Sequence, residues 1–202
     1  MKKINLKNVT LVAISSVKIE QTIRALKICE KHCDFYDKIF FTDKDVDYKT
    51  EKISPIKNIK DYNRFVIKRL PLYIKSDFCL TVHWDGFITN PLAWTNEFLN
   101  YDYIGAPWPH HNYLCGNGGF CLKSKKFLNV IKKHKQEIVV DSNEDVILCL
   151  TLRDLFINEG CKYAPKNIAY KFSTEKGDYK KNQSFGFHDF RFNPQFKNLV
   201  EQ

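Results

Sequence analysis

Residues 6–14 pass from polar into the apolar run Val9-Thr-Leu-Val-Ala-Ile14, the pattern of a strand buried on both faces. After Ser15-Ser16, apolar positions at Ile19, Ile23, Leu26 and Ile28 predict an amphipathic helix reaching about Cys33. Residues 37–42 read as a second strand ending in Thr42-Asp43. A strand, a helix and a strand in that order open a βαβ unit, which points to a parallel sheet. Further on, 53–59 reads as a short strand that Pro55 confines to an edge, and 61–75 as a helix broken at Pro71. Residues 77–82 form a strongly apolar strand running straight into His83-Trp84-Asp85-Gly86, and 93–100 a short helix.

The stretch 101–122 breaks this rhythm, alternating Tyr, Gly, Pro and Trp around one short strand. Ser124 then starts a helix through Ile131. Asp141-Ser142-Asn143 caps another running to Asn158 and closed by Gly160, with Ser142 and Asp145 in the spacing of a capping box. The tail, 161–202, offers one apolar strand at most. No repeat, linker or low-complexity tract interrupts the chain, so 1–202 reads as a single α/β domain, three layers built on a mainly parallel sheet.

Composition changes this picture little. With 44% hydrophobic and 27% charged residues the chain is globular, which excludes disorder. No apolar run is long enough to span a membrane. The Met-Lys-Lys start resembles that of a signal peptide, but the apolar run behind it is short and better read as the first strand. Seven cysteines, scattered among apolar neighbours, suit reduced, buried thiols in a cytoplasmic protein. The net charge of +9 is spread along the chain. In the Lys123–Lys135 segment, Phe127, Leu128 and Ile131 make an ordinary apolar face, so a solvated helix accounts for it better than a nucleic-acid surface.

Four features can carry chemistry. Asp85 follows a buried strand, where open α/β sheets bind ligands, and a carboxylate there can hold a divalent cation or simply make a turn with Gly86. His83, two residues earlier, shares its face. Glu144-Asp145 at a helix start either caps it or supplies a general base. Gly116-Asn-Gly-Gly-Phe120 lets backbone approach a ligand closely but lacks the ending of a P-loop. His188 lies among aromatics in Phe-Gly-Phe-His-Asp-Phe.

The order of these blocks is more specific than any one of them. Strand–Asp85–Gly, Tyr-Asp-Tyr-Ile-Gly-Ala-Pro-Trp (101–108), Gly-Asn-Gly-Gly-Phe (116–120), Glu-Asp-Val (144–146), Phe-Ser-Thr-Glu (172–175) and Gly-Phe-His (186–188) together resemble the DUF5672 family over roughly 60–190. That family looks like a branch of the GT-A glycosyltransferases. The resemblance implies a GT-A-like, Rossmann-related fold and sugar transfer from a nucleotide donor to a glycan or lipid-linked acceptor, and the basic charge suits a peripheral encounter with an anionic membrane surface. Asp85 matches the last acid of the Asp-X-Asp metal motif, His83 stands where the first would be, and His188 matches the late metal-binding His. Asp145 matches the base of many inverting enzymes, with Glu144 beside it as acceptor binder or substitute base. The donor site implied runs through Ala13, Ser15, Ser16, Thr42, Asp43, His83, Trp84, Asp85, Gly118 and Gly119. The implied cofactor is Mn²⁺ or Mg²⁺. A nucleotidyltransferase and a catalytically degenerate nucleotide or glycan binder stay open as alternatives.

Overall fold

The computed structural model describes residues 3–112, 114–176 and 183–201, which leaves the first two residues of the basic start outside them. The first half of the chain runs β1 (Ile4–Ile14), α1 (Ile19–His32), β2 (Cys33–Thr42), β3 (Thr50–Lys52), α2 (Ile59–Lys68) and β4 (Phe78–Thr81). β1 lies at the centre, parallel to β2 on one side and to β4 on the other, and β3 extends the sheet beyond β2. Its Leu11, Val12 and Ala13 are wholly buried, as their unbroken apolar run requires.

The loop-rich middle supplies β5 (Tyr103–Ile104), β6 (Pro107–Trp108), β7 (Leu114–Cys115) and β8 (Cys121–Ser124), followed by α3 (Lys125–His134). β8 pairs antiparallel with β4 and β5 closes that edge, so the six-stranded order is β3-β2-β1-β4-β8-β5. Because β8 runs backwards, its entry loop, Gly116 to Phe120, arrives at the same sheet edge that the ends of β1 and β4 reach. That edge holds the candidate site. The fold is therefore the mixed, mainly parallel, helix-flanked sheet expected.

Several local expectations need correction. The edge strand is Thr50–Lys52, not 53–59, where irregular chain around Pro55 leads into the start of α2 at Ile59. The stretch around 93–100 forms two short 3₁₀ turns, Pro91–Ala93 and Asn96–Asn100, the second capped by the Thr95 hydroxyl. The helix after Asn143 is not continuous: α4 (Glu144–Val146) passes into a π turn (Ile147–Thr151) before α5 (Arg153–Asn158). Its capping box is absent, because Asp145 reaches across to Gly118 instead. The tail holds more than one strand: α6 (Lys166–Phe172), β9 (Ser173–Thr174), β10 (Gly186–Phe187) and α7 (Asn198–Glu201).

The abundant phenylalanines explain how that tail stays in place. Phe187 meets Phe87 at 4.9 Å, Phe172 stacks on Phe120 at 5.1 Å, and Phe185 meets Trp94 at 5.0 Å. Each fully buried Phe contributes about 1.5–3 kcal/mol. Backbone bonds from Thr89 and Asn90 to Phe185, and from Phe187 to Phe87, add register to this packing. All seven cysteines are free and buried. Among the described residues no helix is long and apolar enough to cross a membrane.

Candidate active site

The pairing of β9 with β10 builds the site's late half. The two are parallel, with Gly186 opposite Ser173 and Phe187 opposite Thr174. The next residue on each strand, Glu175 and His188, therefore lie side by side, and Glu175 Oε1 is 3.4 Å from His188 Nδ1. Asn117 Nδ2 is 3.1 Å from the same nitrogen. The other ring nitrogen, Nε2, is turned toward Asp85, 3.7 Å from its Oδ1. A hydrogen bond from the Asp189 backbone N–H to the Asp85 carbonyl, 2.8 Å, clamps the two segments together.

His83 completes the cluster, since its ring, Asp85 and His188 offer ligand atoms all within 4.8 Å of one another. Tyr62 from α2 fixes the His83 ring, its hydroxyl 2.7 Å from Nε2. Burial, reinforced by the positive charge of His188 and Lys123, lowers the His83 pKa to about 3. It is a neutral imidazole at any ordinary pH, the form that binds metal. Burial also disfavours charge on His188, but the carboxylates of Glu175 and Asp85 outweigh it and raise its pKa. Burial raises Asp85, with His188 opposing.

The raised His188 value has a measurable consequence. A folded pKa above the unfolded one, about 6.5 for imidazole, gives stability that is complete below the unfolded value and lost as pH rises through the folded one. Glu175→Gln should therefore lower the His188 titration midpoint seen by NMR and cost stability on the acid side only. An unchanged midpoint would show that Glu175 does not set the charge of this ring.

On the opposite side of the cluster stand the two acids of α4. Asp145 Oδ2 accepts the Gly118 amide at 3.0 Å and Oδ1 the Val146 amide at 2.8 Å. Glu144 is 5% exposed, with its amide held by Asn63 Oδ1. Burial raises the pKa of both, and repulsion from Asp145 adds to it for Glu144. Their surroundings differ: Asp145 senses Glu175 and His188, whereas Glu144 senses the buried Lys123. Both acids lie against the glycine loop, Asp145 through the Gly118 amide and Glu144 Oε1 beside the Gly118 Cα.

The glycines make this arrangement possible. A Cβ on Gly119 would lie 2.1 Å from His188 Nε2, and one on Gly118 1.8 Å from Glu144 Oε1. Asn117 between Gly116 and Gly118 takes a left-handed φ of 48°. Beneath the loop sits the 101–108 block, with Tyr103 donating to the Asn117 carbonyl at 3.1 Å and Trp108 packed on Gly116. That block acts as the platform for the glycine loop.

Beside the cluster a cleft of about 310 Å³ opens at the ends of β1 and β4, walled by Ser15, Ser16, Tyr62, His83 and Trp84 among others. Of the other donor-site residues expected, Ala13 and Thr42 are wholly buried behind this wall. Asp43 is paired with Lys44 at 2.8 Å and sits next to Ser16. Its Oδ1 is buried without a hydrogen-bond partner. Sequence reasoning did not single out Glu175, Asn117 or Tyr62. Glu175 stood within the Phe-Ser-Thr-Glu block, but only the β9–β10 register reveals its neighbour.

This architecture is the GT-A fold of glycosyltransferases. It superposes on a glycosyltransferase involved in glycosylation of the major capsid of PBCV-1 with a TM-score of 0.58 and 13% identity, over 96% of this chain and 99% of that one. The galactosyltransferase LgtC, in complex with donor and acceptor sugar analogues, matches with a TM-score of 0.56 and 11% identity, over 95% of each chain. The chain belongs to the family of proteins of unknown function DUF5672, whose profile matches residues 45–188. It also matches the glycosyltransferase GlyE of Streptococcus pneumoniae TIGR4, at 16% identity and a TM-score of 0.44 over 79% of this chain, but spans only 45% of that protein's length. No curated protein matches it in sequence.

Proposed function

We propose that this chain transfers a sugar from a nucleotide-diphosphate donor to a hydroxyl of a glycan or lipid-linked acceptor, with inversion and with help from a divalent cation. The observation that carries this reading is the convergence of His83, Asp85 and His188 within 4.8 Å, with the Asp145 carboxylate held on the adjoining glycine loop. The cleft shares His83 with the cluster, so a nucleotide lying there would bring its diphosphate to the same place. The orphaned Oδ1 of Asp43, next to the Ser16 wall, suits a hydrogen bond from the ribose or base.

The donor set fits a cation: a carboxylate oxygen, a neutral imidazole held by Tyr62, and a second imidazole with Glu175 behind it, the carboxylate–histidine arrangement that orients metal ligands. Two nitrogens in three donors favour Mn²⁺ over Mg²⁺. A bound cation supplies neutralisation of the charge gathering on the leaving diphosphate. Asp145 takes the proton from the attacking hydroxyl, its raised pKa bringing it nearer the working pH of a base. Glu144 stands beside it as acceptor binder or substitute base, its Oε1 against Gly118. Gly118 and Gly119 bring the loop backbone against both groups.

A panel of nucleotide sugars incubated with Mn²⁺, Mg²⁺ or EDTA tests the reading through release of free nucleotide diphosphate. Release from one donor that needs the cation is expected, and with an acceptor NMR should show the anomeric configuration inverted. A retained configuration removes Asp145 from the role of base. No release, together with no thermal shift from any nucleotide, favours a degenerate binder.

A further inference from the structure

Lys123 is a buried cation that the transfer chemistry does not use. It lies in β8 with 1% exposure, and antiparallel register puts Cys79 directly opposite it and Thr81 opposite Cys121. Period-two alternation turns Cys121 and Lys123 to the same face, so the amine is flanked by thiols on its own strand and the next. Its Nζ is 2.8 Å from Cys121 Sγ and 3.4 Å from Thr81 Oγ1, with the Tyr103 ring 5.5 Å away. An ammonium buried so deeply usually has a carboxylate at hydrogen-bond distance. Here the nearest acceptor is sulfur.

Burial pushes Cys33, Cys79 and Cys115 up to about 12 and Cys161 up to about 11, and it raises Cys29 and Cys149 as well. Thiols held protonated in this way react slowly. Cys121 alone has an amine at contact distance among the described residues.

We propose that peroxide joins Cys121 to Lys123 through one bridging oxygen, Sγ–O–Nζ. A first peroxide converts the thiol to a sulfenic acid and releases one water. A second accepts two electrons as Lys123, having given its ammonium proton to solvent, bonds through Nζ to the sulfenic oxygen. The O–H and one N–H hydrogen leave with the peroxide atoms as two waters. The existing separation is close to the span of such a bridge, so the strands need move little.

The bridge lies directly under the site. Cys121 Sγ donates to the Gly118 carbonyl at 3.2 Å, and the Gly118 amide holds Asp145. Cross-linking removes that S–H donor and the positive charge facing Glu144. A fall in turnover on oxidation is the expected consequence. That consequence rests on the function proposed above, whereas the bond itself does not.

Whole protein treated with hydrogen peroxide and then digested with trypsin provides the test, which needs no activity. The peptide containing Cys121 and Lys123 should gain about 14 Da, one oxygen added and two hydrogens lost, and cleavage after Lys123 should disappear. Dithiothreitol should restore both. Cys121→Ser should leave Lys123 cleavable throughout, and Cys79→Ser should keep the link. Cys121 carried to sulfinic acid with Lys123 still cleaved, or Cys121 left unoxidised, overturns the proposal.

Discussion

Asp145→Asn is expected to lower sugar transfer by about 10²–10⁴, the usual contribution of a well-placed general base, without loss of folding. Asparagine has a single amide oxygen, so it keeps one of the Gly118 and Val146 amides that the two carboxylate oxygens hold now and loses the other. That loss is the same at every pH, whereas the titration part of the change favours the variant as pH rises. Burial raises the Asp145 pKa in the folded state, so its contribution to stability is complete below the unfolded value and is lost as pH climbs through the folded one. A neutral side chain has no such loss. The pair of measurements is kcat with the donor found in the screen and the melting temperature against pH. Glu144→Gln serves as the comparison: it removes the more deeply buried acid, so rising pH should favour it too, but it should reduce turnover far less. A slow Glu144→Gln beside a nearly normal Asp145→Asn would exchange the two roles.

Much of the fold was legible because β1, α1 and β2 each bury one continuous apolar surface with its own period. Asp85 could be found for a similar reason: it ends a short buried strand, and sheets of this class gather ligands at strand ends. The tail was not legible. β9 and β10 are two-residue strands, too short for any alternation to show, and what holds them is a set of aromatic contacts to residues a hundred positions away, on the order of a whole sheet's connectivity. Hence His188 stood out as a residue, while its neighbour Glu175 did not. Lys123 is the converse case. By type it belongs on a surface, and its place in β8 sends it inside, between two thiols and a tyrosine ring.

Ser142 and Asp145 show how a local rule yields to a tertiary contact. Their spacing is that of a capping box, yet Asp145 spends its oxygens on Gly118 and on its own helix start. The helix then carries a π turn directly after the acids, a feature common at functional sites. One extra residue in that turn shifts the register of everything after it. The acids can consequently face the glycine loop while Ile147, Leu148 and Cys149 remain buried in the core.

Gly119→Ala is expected to disable the cation site as thoroughly as Asp85→Ala, although it removes no ligand. The added Cβ would stand 2.1 Å from Nε2 and 2.2 Å from Cδ2 of His188, well inside contact. Neither side has an easy way to yield. The ring is held from behind by Asn117 and Glu175, its backbone amide is bonded to Thr174, and Gly86 also lies close against it, where a Cβ would stand 2.9 Å from Cδ2. Gly119 is tied by its own amide to Asn117 Oδ1 at 3.1 Å, so backing the loop away breaks the contact that helps aim the ring. Either movement separates His188 from Asp85. Loss of one such electrostatic contact to a developing charge typically costs about 10²–10³ in rate. Cation-dependent donor hydrolysis should fall to that extent in both variants, and the thermal shift produced by Mn²⁺ should vanish in both. Circular dichroism separates this from misfolding, because the clash is confined to a loop at the sheet edge and the six strands should keep their signal. A folded Gly119→Ala protein that still responds to Mn²⁺ like the parent would mean that His188 does not hold the cation, leaving His83 and Asp85 to do so.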